Sequence, residues 1–234
     1  MRYADEGDLY TNWQNIWYMP MGLAINANKN PPKFRNVYDA SSRYHGKSLN
    51  DLLLKGPDLL INLLKPLLTM RMNRIAFTAD VQHMFHRLHI NLRDQQCQRV
   101  LFRENHDRPM NVLILSVMAF GPTCSPFVSQ FVKNWNADRF ANKYPEASRT
   151  LKELTYMDDL ITSESNVPKA VQTALQCIEI CKSIDWNLIS FQSNSIEFLK
   201  ALPGTNVKKD LIPFMTNEGD QYTTKVLGCN WNTT

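Results

Sequence analysis

The sequence predicts an α+β fold, and three observations lead to it. A short apolar run at 75–81 carries the acid Asp80 near its end, and a second run at 155–161 bends around the adjacent acids Asp158 and Asp159. Helical patterns follow each of them, so the order reads strand-helix-strand-strand-helix with acids at strand tips. Of the 234 residues, 44% are hydrophobic and 10% aromatic, enough to bury a sizeable core in one large domain or two small ones.

Each element has its own signal. Residues 26–32 (Asn-Ala-Asn-Lys-Asn-Pro-Pro) separate two β-prone runs, 16–19 and 34–38, which predicts a hairpin with a basic tip. After Pro57, Leu59, Leu60, Leu63, Leu64, Leu67 and Leu68 recur at helical spacing, predicting a core helix kinked at Pro66. Residues 75–81 are expected as a buried strand. The runs 98–104 and 111–118 flank the polar turn 105–109 and predict a second hairpin. Ser125-Pro126 is a cap with a first-turn proline, and Phe127, Val128, Phe131, Val132, Trp135 and Phe140 trace one face of the helix it opens. Residues 155–161 read as a hairpin with Asp158 and Asp159 at its bend, a costly place for adjacent like charges unless a cation joins them. Val167, Val171, Ala174, Leu175, Ile178 and Cys181 mark a further amphipathic helix.

Several function classes are excluded. The 26 Lys and Arg against 22 Asp and Glu leave a net charge of +4, too little to announce a polyanion partner, so any basic surface is local. Glycine is scarce and no Gly-x-Gly-x-x-Gly or Walker-type loop occurs, which sets aside Rossmann and P-loop chemistry. No Asp-Thr/Ser-Gly triad supports an aspartic protease. The 5 cysteines are odd in number with no Cys-x-x-Cys pair and no apolar leader, pointing to a reducing intracellular setting rather than secretion. Cys177 and Cys181 read as buried small positions rather than half a metal site. No uninterrupted apolar stretch spans a membrane, and the sequon at Asn232 is expected to stay unmodified.

Asp80, Asp158 and Asp159 carry the chemistry. Carboxylate oxygens are hard ligands suited to Mg²⁺, which binds through a few carboxylates plus substrate phosphates. If the two acid-bearing strands lie side by side, the three acids converge on a two-metal site for in-line phosphoryl displacement. The alternative is three unrelated surface acids.

The surrounding residues bear on that choice. Tyr156-Met157-Asp158-Asp159 resembles the Tyr-x-Asp-Asp box of reverse transcriptases, and Ala79-Asp80-Val81-Gln82-His83-Met84-Phe85 resembles their first acidic motif, an Asp with an aromatic five residues on. Phe120-Gly121-Pro122-Thr123-Cys124-Ser125-Pro126 is similar to the Phe-Gly-x-x-x-Ser-Pro segment that lies under template and incoming nucleotide. The likeness extends to the BEL/Pao class of long-terminal-repeat retrotransposons. It is carried by Trp17-Tyr18-Met19-Pro20, Arg35-Asn36-Val37-Tyr38-Asp39-Ala40-Ser41-Ser42, Gly46-Lys47-Ser48-Leu49-Asn50-Asp51, Ser193-Asn194-Ser195 and Leu227-Gly228-Cys229-Asn230-Trp231.

This resemblance implies a right-hand polymerase, fingers and palm only, with an antiparallel palm sheet backed by helices and the thumb absent. Residues 1–74 and 91–119 would be fingers; 75–90 and 120–234 would be palm. Asp80, Asp158 and Asp159 would hold two Mg²⁺, with Mn²⁺ able to substitute. Arg35 would touch the incoming triphosphate, Phe85 would gate the sugar, Phe120 and Gly121 would lie under the nucleotide, Tyr156 and Met157 beside the primer end, and Leu227-Gly228 would open the primer grip. The partners implied are an RNA or DNA template with primer, deoxynucleoside triphosphates and no membrane. A thumb, ribonuclease H and integrase would follow in an intact polyprotein, and the setting would be a cytoplasmic particle or the nucleus.

Two departures matter. A lysine usual before the Ser-Asn-Ser segment, a candidate acid for departing pyrophosphate, is replaced by Ser190, with Lys182 or Lys200 as possible substitutes. The chain also stops where a thumb would begin, so a catalytically impaired nucleic-acid-binding remnant is the rival expectation. His83, His86 and His89 read as turn and core residues rather than a zinc site, and the tryptophans mostly as packing, with Trp231 the one to test.

Overall fold

The apolar run that carries Asp80 forms an inner strand, Ile75–Gln82, of a four-stranded antiparallel sheet in the computed structural model, which describes residues 1–27, 31–208 and 223–232. The sheet order is Asn187–Ser193, Ile75–Gln82, Asp159–Glu164, Thr155–Tyr156. Phe77, Leu160 and Ile161 are fully buried. Phe77 stacks on Phe198 at 4.8 Å between ring centroids, a pair that adds to its area burial. Helices Pro145–Glu153, Val167–Lys182 and Ile196–Ala201 back this sheet and one another. The α+β class is borne out, as are the hairpin at the acid pair and the strand at Asp80.

The chain divides into two units, Met1–Asp58 with Phe85–Val128, and Leu59–Met84 with Ser129–Thr234. The four-stranded sheet belongs to the second. The first holds a three-stranded sheet in which Asn111–Ile114 lies between Arg2–Tyr3 and Arg99–Phe102, the last pair being the expected second hairpin. Its core gathers Met19, Tyr38, Ala40, Leu49, Val100, Leu113, Leu115 and Ala119. A buried polar network fastens its N-terminal segment: Arg99 donates to the Asp8 carbonyl at 2.6 Å and to Gln96 Oε1, Gln96 donates to Asp8 Oδ1 at 2.9 Å, and Arg2 pairs with the same carboxylate.

Four expectations are corrected. The hairpin partner of Lys33–Tyr38 is Met21–Asn26, not 16–19; the earlier run instead passes alongside Arg99 through a single bridge at Tyr18. The leucine-rich run gives only the short helix Leu64–Thr69, with Leu64 and Leu68 exposed and Pro66 buried. Pro66 sits in the first turn, where its missing N–H needs no partner, so it sets a helix start rather than a kink. The helix Ser125–Arg139 turns its aromatic residues out: Phe131 and Trp135 are about half exposed while Ser129, Gln130, Lys133 and Asn136 are buried. That inversion is tolerable because the buried groups are bonded, as when Asn136 Nδ2 donates to the Ile180 carbonyl at 2.7 Å. The helix Val167–Lys182 buries Ala170, Thr173, Ala174, Cys177, Ile180 and Cys181 and leaves Leu175 exposed, because small residues allow close approach.

Cys177 and Cys181 are buried as expected, and burial pushes the Cys181 thiol up to about 12. Residues 28–30 of the basic tip and Thr233 and Thr234 of the sequon lie outside the described residues. Among the described residues no helix is long and apolar enough to cross a membrane.

Candidate active site

Strand pairing brings two of the acids together. Asp159 is the register partner of Asp80 across neighbouring antiparallel strands, and directly opposed residues present their side chains on one face with Cβ atoms about 5 Å apart. Asp159 also pairs with Tyr156, leaving Met157 and Asp158 as the turn between them. Met157 takes the left-handed region at φ 52, uncommon for a residue with a side chain. The turn is tied down at the Asp158 carbonyl, which accepts from the Val81 N–H at 2.9 Å.

The electrostatics match that geometry. Burial, with the charges of Asp158 and Asp80 added, pushes the Asp159 carboxyl up to about 6. Burial also raises Asp158. Carboxylates crowded and desolvated in this way resist ionising together unless a cation compensates them.

A cleft of about 120 Å³ opens on this face, lined by Asp80, Asp159, Ser190, Gln192, Val226 and Leu227 among others. Ser190 reaches it from an irregularity in the pairing of Asn187–Ser193 with the Asp80 strand, where its φ is 59. Such a bulge re-aims a side chain. Val226 and Leu227 come from the hairpin Thr223–Val226 and Cys229–Asn232. Its two turn residues, Leu227 at φ 47 and Gly228 at φ 82, have the positive angles of a type I′ turn. Leu227 and Trp231 both pack on a cluster that includes Ile161.

Among the described residues no group of three or more His, Cys, Asp or Glu is assembled as a metal cluster, so the three acids do not form a closed cage. The donor set still fits a divalent cation of the Mg²⁺ type, which completes its shell with water and substrate phosphate and takes one or two protein carboxylates. The structural observation that favours that fit is the placing of Asp80 and Asp159 as register partners lining one cleft.

Arg35, Phe85, Phe120 and Gly121 belong to the first unit. Arg35 is exposed on its hairpin opposite Ala24. Phe85 is buried and meets Phe120 edge to face at 4.7 Å. Gly121 has φ 120, and a Cβ there would stand 2.4 Å from the Tyr38 carbonyl, so only glycine fits. His86 packs against Phe120 and His83 occupies a left-handed turn position at φ 54.

The sequence reading missed the residues that hold the Phe120-Gly121 loop. Asn50 donates to the Gly121 carbonyl at 3.2 Å and accepts from the Thr123 N–H at 2.8 Å. Gln98 accepts from the Ala119 N–H at 3.1 Å, and Ser125 donates to the Ala119 carbonyl at 2.8 Å. The signal available was Asn50 in the first turn of the helix Leu49–Leu52 that Ser48 caps, in a segment already singled out; Gln98, at the head of the run 98–104, gave none.

No protein-family model and no curated protein matches the sequence. Among solved structures, the chain is similar to a foamy viral protease-reverse transcriptase in complex with an RNA/DNA hybrid, at 13% identity and a TM-score of 0.52, over 73% of this chain. The chain has a reverse-transcriptase-like fold. It spans only 20% of that viral protein's length. The likeness is one of fold, and the BEL/Pao resemblance rests on the sequence motifs alone.

Proposed function

We propose that the chain is the polymerase core of a BEL/Pao-class reverse transcriptase, adding deoxynucleotides to a primer 3′-hydroxyl on an RNA or DNA template. The observation that carries this reading is the register of Asp159 on Asp80, within a sheet of reverse-transcriptase-like fold. In this reading residues 1–74 and 91–119 act as fingers and 75–90 and 120–234 as palm.

Asp80 and Asp159, joined by Asp158 from the turn, are the groups that would hold two Mg²⁺. When bound, such ions supply charge neutralisation for the attacking and leaving oxygens of a phosphoryl displacement. The protein's own part is positioning. The turn fixes the carboxylates, and the Val226 and Leu227 edge supplies an apolar wall for the primer end. The test is primer extension on an RNA template, comparing the parent chain with Asp80→Asn. Extension by the parent alone supports the reading; extension by both, or by neither under Mg²⁺ and Mn²⁺, removes it.

One observation favours the second reading, a nucleic-acid-binding remnant with impaired turnover. Ser190 lines the acid cleft where the resemblance implies a lysine, and a hydroxyl is a poor acid for departing pyrophosphate. Tight primer-template binding without single-turnover extension would select it.

A further inference from the structure

Lys133 is buried to 4% exposure in the interior of the helix Ser125–Arg139. An ammonium there must be well partnered to persist. Its Nζ donates to Gln130 Oε1 at 2.6 Å and to the Thr155 carbonyl at 3.1 Å. Gln130 Nε2 in turn donates to the Met157 carbonyl at 3.2 Å. Both ends of this chain of bonds therefore land on the Thr155-Tyr156-Met157-Asp158-Asp159 segment.

We infer that Lys133, acting through Gln130, is a positioning residue that fixes the orientation of the acid-bearing turn and so its affinity for a divalent cation. An ammonium has donors and no acceptor, so Gln130 must turn its oxygen toward Lys133 and its NH₂ toward Met157. Without Lys133 the amide is free to flip, and its oxygen would then face the Met157 carbonyl. Met157 is the residue held at φ 52, a conformation that persists only where its surroundings impose it. The turn is thus held at successive carbonyls, Met157 by Gln130 and Asp158 by Val81. Burial lowers the Lys133 ammonium to about 8.

The catalytic consequence rests on the polymerase reading above; the structural one does not. Lys133→Met keeps the side-chain length but takes the donor away from Gln130 Oε1 and the Thr155 carbonyl, which costs some stability. The full chain carrying it is expected to keep a cooperative melt, somewhat below the parent's. Its turn amides at 157–159 should exchange about ten-fold faster, and its Mn²⁺ affinity, read by electron paramagnetic resonance, should fall about ten-fold or more, as for other groups that orient metal ligands. Primer extension should lose kcat with little change in nucleotide KM. Parent-like turn exchange and Mn²⁺ affinity in a folded Lys133→Met overturn the inference. Should that variant fail to fold, Gln130→Met decides in its place, expected to loosen the turn alike and overturning the inference if it does not. Absence of primer extension in the parent, with the exchange and Mn²⁺ effects present, removes the polymerase reading and leaves this one standing.

Discussion

Asp159 stands directly across the sheet from Asp80, one residue after a turn held at a left-handed Met157. The pairing forces two carboxylates onto one face of adjacent strands, where like charges directly opposed are destabilising. A fold that keeps such a pair retains a local cost that a bound cation can relieve.

That cost is readable by titration. The Asp159 carboxyl is raised to about 6, by burial first and then by Asp158 and Asp80, against about 3.9 in an unfolded chain. Because the folded value lies above the unfolded one, the folded state binds more protons across that window, and stability contributed by this group falls as pH rises from about 4 to 6. Without divalent ions, the parent should lose melting temperature relative to Asp159→Asn as pH rises through that range. Mg²⁺ at neutral pH should then restore the parent and leave Asp159→Asn unmoved. Parallel melting curves against pH would sink the assignment.

Under the polymerase reading, activity should respond to the same residues. Asp80→Asn, Asp158→Asn and Asp159→Asn are each expected to drop primer extension below about a tenth of the parent rate, with the fold and primer-template binding retained, since none removes core packing. Circular dichroism and a binding titration beside the extension assay separate a lost ligand from a lost fold.

Ser190 offers the opposite kind of test. It lines the cleft with Asp80 and Asp159, at an irregular strand position with φ 59. Under the polymerase reading, Ser190→Lys places an ammonium at that mouth and should raise the single-turnover rate by about ten-fold, the lower end of general acid effects. An unchanged rate means that another group already protonates the pyrophosphate, or that proton transfer does not limit the step.

Much of this site was legible in advance because its determinants are local. Tyr156, Met157, Asp158 and Asp159 make a two-residue turn whose strands are apolar on both sides, and the strand at Asp80 reads as one run. What was not legible depends on partners distant in sequence. The inward face of the helix Ser125–Arg139 is polar because Lys133 and Asn136 find carbonyls at Thr155 and Ile180, and no periodicity within the helix shows those acceptors. Pro66 likewise looks like a kink only if the leucines before it are helical. The strand Asn187–Ser193 was missed because Asn187, Ser190 and Gln192 break an apolar run, and its pairing with the Asp80 strand is what holds it.

The first unit supplies a stability prediction. Asp8 is buried and is paired by Arg2 and Gln96, and the hydrogen bond from Arg2 holds its carboxyl well below the ordinary range. A lowered folded value contributes stability that is present above about pH 4 and lost as pH falls. Asp8→Ala also removes a buried acceptor shared by Arg2, the Gln96 amide and the Asp5 N–H, which should cost about 2 kcal/mol. Urea unfolding at pH 7 and pH 3 checks both, with the difference between parent and variant expected to shrink at the lower pH.

Phe85 carries the final test, since its packing and its proposed role pull on the same ring. It is buried and meets Phe120 edge to face at 4.7 Å, so Phe85→Ala should cost about 3 kcal/mol or more in stability through the cavity it leaves. Under the polymerase reading the ring also crowds the sugar of the incoming nucleotide and excludes a 2′-hydroxyl by size. The two roles separate by ratio rather than by rate. A purely structural ring would lower kcat/KM for matched ribo- and deoxynucleotides together, whereas a gate would lower the deoxynucleotide value and raise the ribonucleotide one. Phe85→Leu refines the comparison by keeping most of the apolar volume while shortening the reach, and it should relax sugar selection less than Phe85→Ala does. The expected result is a selectivity ratio that falls with side-chain size in variants that still show a cooperative melt. A constant ratio across folded variants would assign Phe85 to the core of its unit and return the choice of sugar to another residue.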